Sequence, residues 1–227
     1  MKTETANLLT WLAAEGSETN RAGMARYGIT VDRATGVSVR HLRARVRDLR
    51  QEFDKQQRDV LGWSLWASGQ HEAQIMASML IDPETLTRKG MDRIAAGFDS
   101  WDVCDGYCNN LFRHSRHAHA AAAAWTRRRA EFVRRAGFAL IASLAVHDRD
   151  SPKGVFTAHL GRIEGAAGDG RTMVKKAAAW ALRRIGRRGP GLARQARTLA
   201  RRLATDQRPP ARWIGRTALR KLGSGTG

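Results

Sequence analysis

The sequence predicts an all-α protein assembled as a row of paired helices, and three observations carry that prediction. Apolar residues recur three and four apart through most of the 227 residues, as one face of a helix requires. Alternating β-branched runs that would mark strands are almost absent, while Ala, Arg and Leu, all good helix formers, dominate. Proline is scarce, with 5 in the chain, so few positions interrupt a helix. With 42% hydrophobic residues the chain can bury one sizeable core, and a single domain is expected over residues 1–222. The terminal Gly-Ser-Gly-Thr-Gly at 223–227 reads as a flexible tail.

Taken in order, residues 3–15 form a helix with Leu8, Leu9, Trp11 and Leu12 on its apolar side, stopped near Gly16. A polar turn and a short helix at 21–27 follow. Residues 28–36 connect to a helix in which Val39, Leu42, Val46 and Leu49 share a face and Arg43, Arg45, Arg47 and Arg50 take the others. Beyond Asp54 the pattern settles into pairs: 60–68 with 71–81, a break at Asp82-Pro83, then 84–96 with 100–112. Residues 125–145 carry a long helical pattern that can break near Arg129. Segments 152–166, 172–186, 191–203 and 210–222 complete the row.

A weak internal repeat runs through this row. Trp180-Ala-Leu-Arg-Arg-Ile-Gly186 recurs 37 residues later as Thr217-Ala-Leu-Arg-Lys-Leu-Gly223, and Arg135-Ala136 precedes Lys176-Ala177 by 41. Two helices per unit of about 40 residues is the period of HEAT-like repeats. One helix pair cannot bury its apolar face alone, so neighbours are expected to stack into a curved α-α superhelix, a solenoid whose inner helices line a concave surface.

The formal charge of +19 is one-sided. Residues 1–113 hold 15 Lys and Arg against 15 Asp and Glu, whereas 114–227 hold 25 against 6. Charge kept only for solubility would be spread along the chain; a one-sided excess points to a polyanionic partner, nucleic acid before an acidic membrane surface. The basic segments look like core-forming helices with charged outer faces and lack the broad apolar face of a membrane-surface helix. No run reaches the roughly 18 apolar residues of a membrane span, and the first residues lack a signal-peptide pattern. Cys104 and Cys108, four apart, are too few and too local for a disulfide framework and read as small buried hydrophobes. A soluble, cytoplasmic monomer is expected, associated with the nucleoid when bound to DNA.

The stretch that carries chemistry is Phe98-Asp-Ser-Trp-Asp-Val-Cys-Asp-Gly-Tyr-Cys-Asn-Asn-Leu-Phe112. Trp101 and Asp105, four apart, stack an indole beside a carboxylate. Asp99 or Ser100 can cap this helix and Asp102 suits its first turn, but Asp105 lies past that turn, on the stripe of Trp101, Cys108 and Phe112. An acid there has either an Arg partner or a chemical task. Trp180 is the second indole of interest. If both helices line the concave surface, Trp101, Asp105 and Trp180 converge there, with Lys175, Lys176, Arg183, Arg184, Arg187 and Arg188 flanking Trp180 and Arg134 and Arg135 on the helix between. Indole faces attract cations, a carboxylate stabilises a developing positive charge, and a basic rim holds phosphates. Together these suit a cationic nucleobase whose N-glycosidic bond breaks through an oxocarbenium-like sugar. A scaffold for an acidic protein would explain the charge but not Asp105. Trp11, Trp63, Trp66, Trp125 and Trp213 are expected in the core. The spacing of Cys104, Cys108, His114, His117 and His119 matches no common zinc pattern, so no metal is expected.

These stretches resemble the DNA alkylation repair (AlkD-like) family of HEAT-like-repeat DNA glycosylases over about residues 23–222. The resemblance rests on Gly36-Val-Ser-Val-Arg-His-Leu-Arg43, His71-Glu-Ala-Gln-Ile-Met-Ala77, Phe98-Asp-Ser-Trp-Asp-Val-Cys-Asp105, Phe132-Val-Arg-Arg-Ala-Gly-Phe138 and Val174-Lys-Lys-Ala-Ala-Ala-Trp-Ala-Leu-Arg-Arg-Ile-Gly186. It implies that Asp105 is the catalytic carboxylate in a Trp-x-x-x-Asp pair with Trp101, Trp180 the second aromatic wall and Arg135 a DNA contact. It further implies removal of cationic N3- and N7-alkylated purines from double-stranded DNA, without cofactor and without extruding the base. Gln74 stands where relatives often carry Arg, and some branches of the family bind DNA without detectable glycosylase activity.

Overall fold

The computed structural model describes residues 1–222; the expected tail at 223–227 lies outside the described residues. Among the described residues there are thirteen α-helices and one 3-10 turn, and no strand. The helices are α1 (Lys2–Ala14), α2 (Glu18–Arg26), α3 (Val39–Glu52), α4 (Lys55–Ala67), α5 (His71–Leu80), α6 (Arg88–Ala96), α7 (Trp101–Asn110), α8 (Ala118–Trp125), α9 (Glu131–His147), α10 (Lys153–Gly165), α11 (Thr172–Ile185), α12 (Pro190–Ala204) and α13 (Pro209–Leu222). The 3-10 turn is Phe112–His114. Residue contacts gather into two compact units: residues 1–87 with 99–115, and residues 88–98 with 116–227.

In the first unit α5 is the central helix, packed by α4, α7, α3 and α1. Nine of its ten residues are accordingly buried, His71 to Ser78 and Leu80. The acid and amides in that run need partners, because a buried polar group without one is costly. Glu72, 1% exposed, accepts from the backbone N–H of Thr35 (3.0 Å) and Gly36 (2.7 Å) and from Gln70 Nε2 (2.6 Å). Gly36 adopts φ +86°, and a Cβ there would stand 2.2 Å from the Ser17 carbonyl oxygen, so this approach admits only glycine. The connector before α3 is thereby fastened to α5.

In the second unit α9, α11 and α13 pack side by side, and α8, α10 and α12 are their partners. The starts of α9, α11 and α13 are 41 and 37 residues apart, the two repeat spacings of the sequence. The contact is close because the buried side of α11 is Ala177, Ala178 and Ala181 with Val174, Leu182 and Ile185. Gly215 of α13 serves the same end, since a Cβ there would come within 2.3 Å of the Ala204 nitrogen.

Several boundaries differ from the sequence expectation for local reasons. Helix α4 starts five residues early because Asp54 and Gln57 form a reciprocal capping box. Helix α6 starts four residues late because Asp82 accepts from the Glu84 N–H (3.1 Å) and Thr85 Oγ1 donates to the Asp82 carbonyl (3.2 Å), turning the chain at 82–85. Helix α2 starts three residues early, where Ser17 accepts from the Asn20 N–H. The expected break near Arg129 separates α8 from α9, and α8 itself, largely alanine, has no apolar periodicity to read. Trp125 is buried as expected, donating to Asp92 (2.6 Å). The remaining tryptophans of that group, Trp11, Trp63, Trp66 and Trp213, are only half-buried: their indoles reach beyond the helix seams that α1, α4 and α13 fill with Leu, Ile and Ala.

Candidate functional site

Helix α7 is held in place by groups drawn from distant parts of the first unit. Ser100 occupies the N-cap position, but its hydroxyl donates to Asp102 Oδ1 (2.6 Å) instead of capping. Asp102 Oδ2 meets His71 Nε2 at 2.9 Å, tying α7 to α5. Arg33 pairs with Asp99, and its carbonyl accepts the His71 N–H (2.9 Å). Burial opposes charge on His71, but the hydrogen bond and charge of Asp102, with Glu72 and Asp99 adding, outweigh it and raise the imidazole pKa. Burial likewise works against the Asp102 carboxylate; His71, Ser100 and the Val103 N–H outweigh it and lower its pKa. His71, Glu72 and Asp102 are therefore structural, and they fix the start of the helix that carries Trp101 and Asp105.

Trp101 opens α7 and donates its indole N–H to the Tyr27 carbonyl (3.1 Å), which anchors that ring edge. Asp105 follows one turn later, about 6 Å along the axis. The buried side of α7 is Val103, Cys104, Tyr107 and Cys108; Trp101, Asp102, Asp105 and Asn109 lie half-buried on the other. This corrects the expectation that Asp105 shares a stripe with Cys108 and Phe112. The apolar stripe passes beside the acid, and Phe112 belongs to the 3-10 turn after α7 has ended. Cys104 and Cys108 are fully buried, as expected. Asn109 Nδ2 donates to the Asp105 carbonyl (2.9 Å).

In the second unit the outward face of α11 carries Met173, Lys176, Trp180, Arg183 and Arg184, with Arg187 just past its end. These positions recur three and four apart, so an indole stands within one strip of cations. Burial lowers the Arg183 pKa, and the charges of Arg187 and Arg184 add to that. Lys175 lies toward α13, its Nζ 5.3 Å from the Trp213 ring centre. Arg134 is engaged by Asp169 (3.1 Å), and Arg135, 6% exposed, donates to the Met173 carbonyl (3.0 Å). Of the residues singled out for DNA, Lys176, Arg183, Arg184 and Arg187 thus share the strip with Trp180, while Arg134 and Arg135 are engaged within the fold and Lys175 beside Trp213. Gln74 is buried in α5.

Two groupings were missed from sequence. On α3, Arg40, Arg43 and Arg47 line one exposed cleft; their spacing is readable, but the balanced charge of this half of the sequence masks it. His119, His159, Asp148 and Ser151 cluster beyond α9: His119 Nε2 lies 2.6 Å from Asp148 and 3.2 Å from Ser151 Oγ, and its Nδ1 3.2 Å from His159 Nε2. Both oxygens share one ring nitrogen, which is not the relay of a nucleophilic triad. Among the described residues no group of three or more His, Cys, Asp or Glu could hold a metal ion, and no helix is long and apolar enough to cross a membrane.

The model of the DNA alkylation repair enzyme family matches residues 8–222. No curated protein matches. A solved structure described as "a new family of proteins related to the HEAT-like repeat DNA glycosylases with affinity for branched DNA structures" is similar at 17% identity, with a TM-score of 0.77 over 96% of each chain. That likeness gives the HEAT-like repeat fold, and with a family match over nearly the whole length, the chain belongs to the DNA alkylation repair enzyme family.

Proposed function

We propose that this protein is a monomeric DNA glycosylase that hydrolyses the N-glycosidic bond of cationic N3- and N7-alkylated purines in duplex DNA, leaving the base in the helix. The observation that carries the reading is Asp105, one turn from Trp101 on the half-buried side of α7, whose start is fixed by the bonds of Asp102 to His71 and Ser100. Alkylation places a positive charge on the purine, so the C1′–N bond can break with its electron pair neutralising the leaving base, and no acid need protonate it. The sugar becomes oxocarbenium-like; the Asp105 carboxylate stabilises that charge and orients the water that attacks C1′. An indole such as that of Trp101 or of Trp180 attracts a cationic base by about 0.5–2 kcal/mol. Lys176, Arg183, Arg184 and Arg187 neutralise phosphates and supply affinity without sequence preference.

Trp180→Ala is the discriminating variant. Release of methylated purine from methylated duplex should fall more than binding to undamaged duplex; a parallel fall of both would make Trp180 a packing residue. A second reading, recognition of branched DNA without catalysis, is favoured by the described affinity of the structural relative. No base release by the wild type, with tighter binding to a four-way junction than to duplex, would select it.

A further inference from the structure

Where α9 and α11 end side by side, a cavity of about 380 Å³ is lined by Ala145, Val146, Arg149, Arg184, Arg187 and Arg188. It has room for about a dozen water molecules. Four guanidiniums in one cup is an unfavourable arrangement unless something negative completes it. No Asp or Glu lines it, and five of the seven acids of this unit are engaged elsewhere: Asp148 by His119, Asp169 by Arg134 and Arg171, Glu164 by Arg202, Asp206 by Arg208 and Asp92 by Arg88.

The four arginines are not equivalent. Arg188 donates to the carbonyls of Ala145 (3.1 Å) and Leu144 (3.4 Å) and lies 3.8 Å over the Phe156 ring. It thus satisfies the Ala145 carbonyl in the last turn of α9, adds a second donor to the Leu144 carbonyl that already accepts the Asp148 N–H, and fastens α9, α10 and the turn after α11 together. Gly189, at φ +141°, then redirects the chain into α12. Arg149, Arg184 and Arg187 have no ion pair among the described residues. Arg184 and Arg187 continue the strip of Trp180, about 6 and 10 Å further along the α11 direction.

We propose that this cup is a built phosphate site for one DNA phosphodiester, with Arg149, Arg184 and Arg187 as its ligands and Arg188 as the positioning residue that holds its wall. Guanidinium forks suit the task because each can present two parallel N–H donors to phosphate oxygens. The assignment rests on the reading of the α11 face as a DNA-binding surface, but not on catalysis.

The test uses the full chain, its R149Q variant and the R149Q/R187Q double variant; Arg149 is exposed in a loop and its loss leaves the core intact. Duplex affinity is measured over a salt series with an undamaged duplex, and guanidinium N–H signals are followed with inorganic phosphate. The site predicts that phosphate shifts the Arg149, Arg184 and Arg187 signals, and that the slope of log affinity against log salt falls by about one in the double variant and by no more than that in the single one, because one phosphate is released. Unchanged slopes without phosphate shifts would overturn it. Phosphate shifts with unchanged slopes would assign the cup to a free phosphate and overturn the DNA assignment. Reduced slopes in a protein that releases no methylated base would leave the cup standing and remove the glycosylase reading.

Discussion

The first unit, residues 1–87 with 99–115, contains 12 Lys and Arg and 14 Asp and Glu; the second contains 28 and 7. The acids of the first unit are used one by one as latches: Glu72 on the Thr35 and Gly36 amides, Asp102 on His71, Asp99 on Arg33. They fix where α7 begins and therefore where Trp101 and Asp105 stand. In the second unit the fewer acids pair with His119, Arg134 and Arg202, while Lys176, Arg183, Arg184 and Arg187 have no ion pair among the described residues. On the proposed function, the difference puts the positioning of Asp105 in one unit and most of the phosphate neutralisation in the other. Each half of that statement can be attacked separately.

The largest effect is expected where the first unit concentrates its latches. Glu72→Ala should lower stability by about 3 kcal/mol or more, because two backbone N–H groups lose their acceptor in the interior. Urea unfolding measures it, and a loss below about 1 kcal/mol would deny Glu72 that role.

Next comes pH, which should act with opposite sign in the two units. The raised pKa of His71 makes its stabilisation complete below about pH 6.5, its usual value, and lost as pH rises through the higher folded value. His159, 2% exposed, is held down to about 3 by burial, with the charges of His119 and Arg162 adding. Its unfolded form takes up a proton from about pH 6.5 downward while the folded form does not, so stability falls by up to about 1.4 kcal/mol per pH unit until pH 3. Amide exchange should therefore show α5 gaining protection from pH 8 to 6 and α10 losing it from pH 6 to 4.5. Parallel changes in both helices would break the contrast.

A smaller and more specific effect separates paired from unpaired cations. The double variant K176Q/R183Q should reduce the salt slope of duplex binding by about two, whereas Arg45→Gln, whose residue is already paired with Glu4 and Glu52, should leave it unchanged. Equal slopes for both would place the DNA surface elsewhere. Least of all, Glu164→Ala should cost under about 1 kcal/mol in thermal or urea unfolding, since its pair with Arg202 is largely solvated.

Much of this was legible in the sequence because it is local. Helical spacing and the 41- and 37-residue offsets identify α9, α11 and α13, and the Trp-x-x-x-Asp spacing identifies the face of α7 that matters. What was not legible depends on residues far apart in the chain. Nothing near His119 announces His159, 40 residues on, and nothing near Arg149 announces Arg184 and Arg187. The sequence pattern runs on to Phe112 and so sets Asp105 within an apolar stripe, whereas α7 ends at Asn110 and the acid stands beside its buried side.

The central claim is that Asp105 acts on the glycosidic bond while the basic strip holds the duplex. Its most direct test is release of methylated purine from methylated duplex DNA by the wild type and by Asp105→Asn, with binding to undamaged duplex measured alongside. The account predicts release by the wild type, its loss in Asp105→Asn, and unchanged binding in both. Equal release by the two proteins would contradict it.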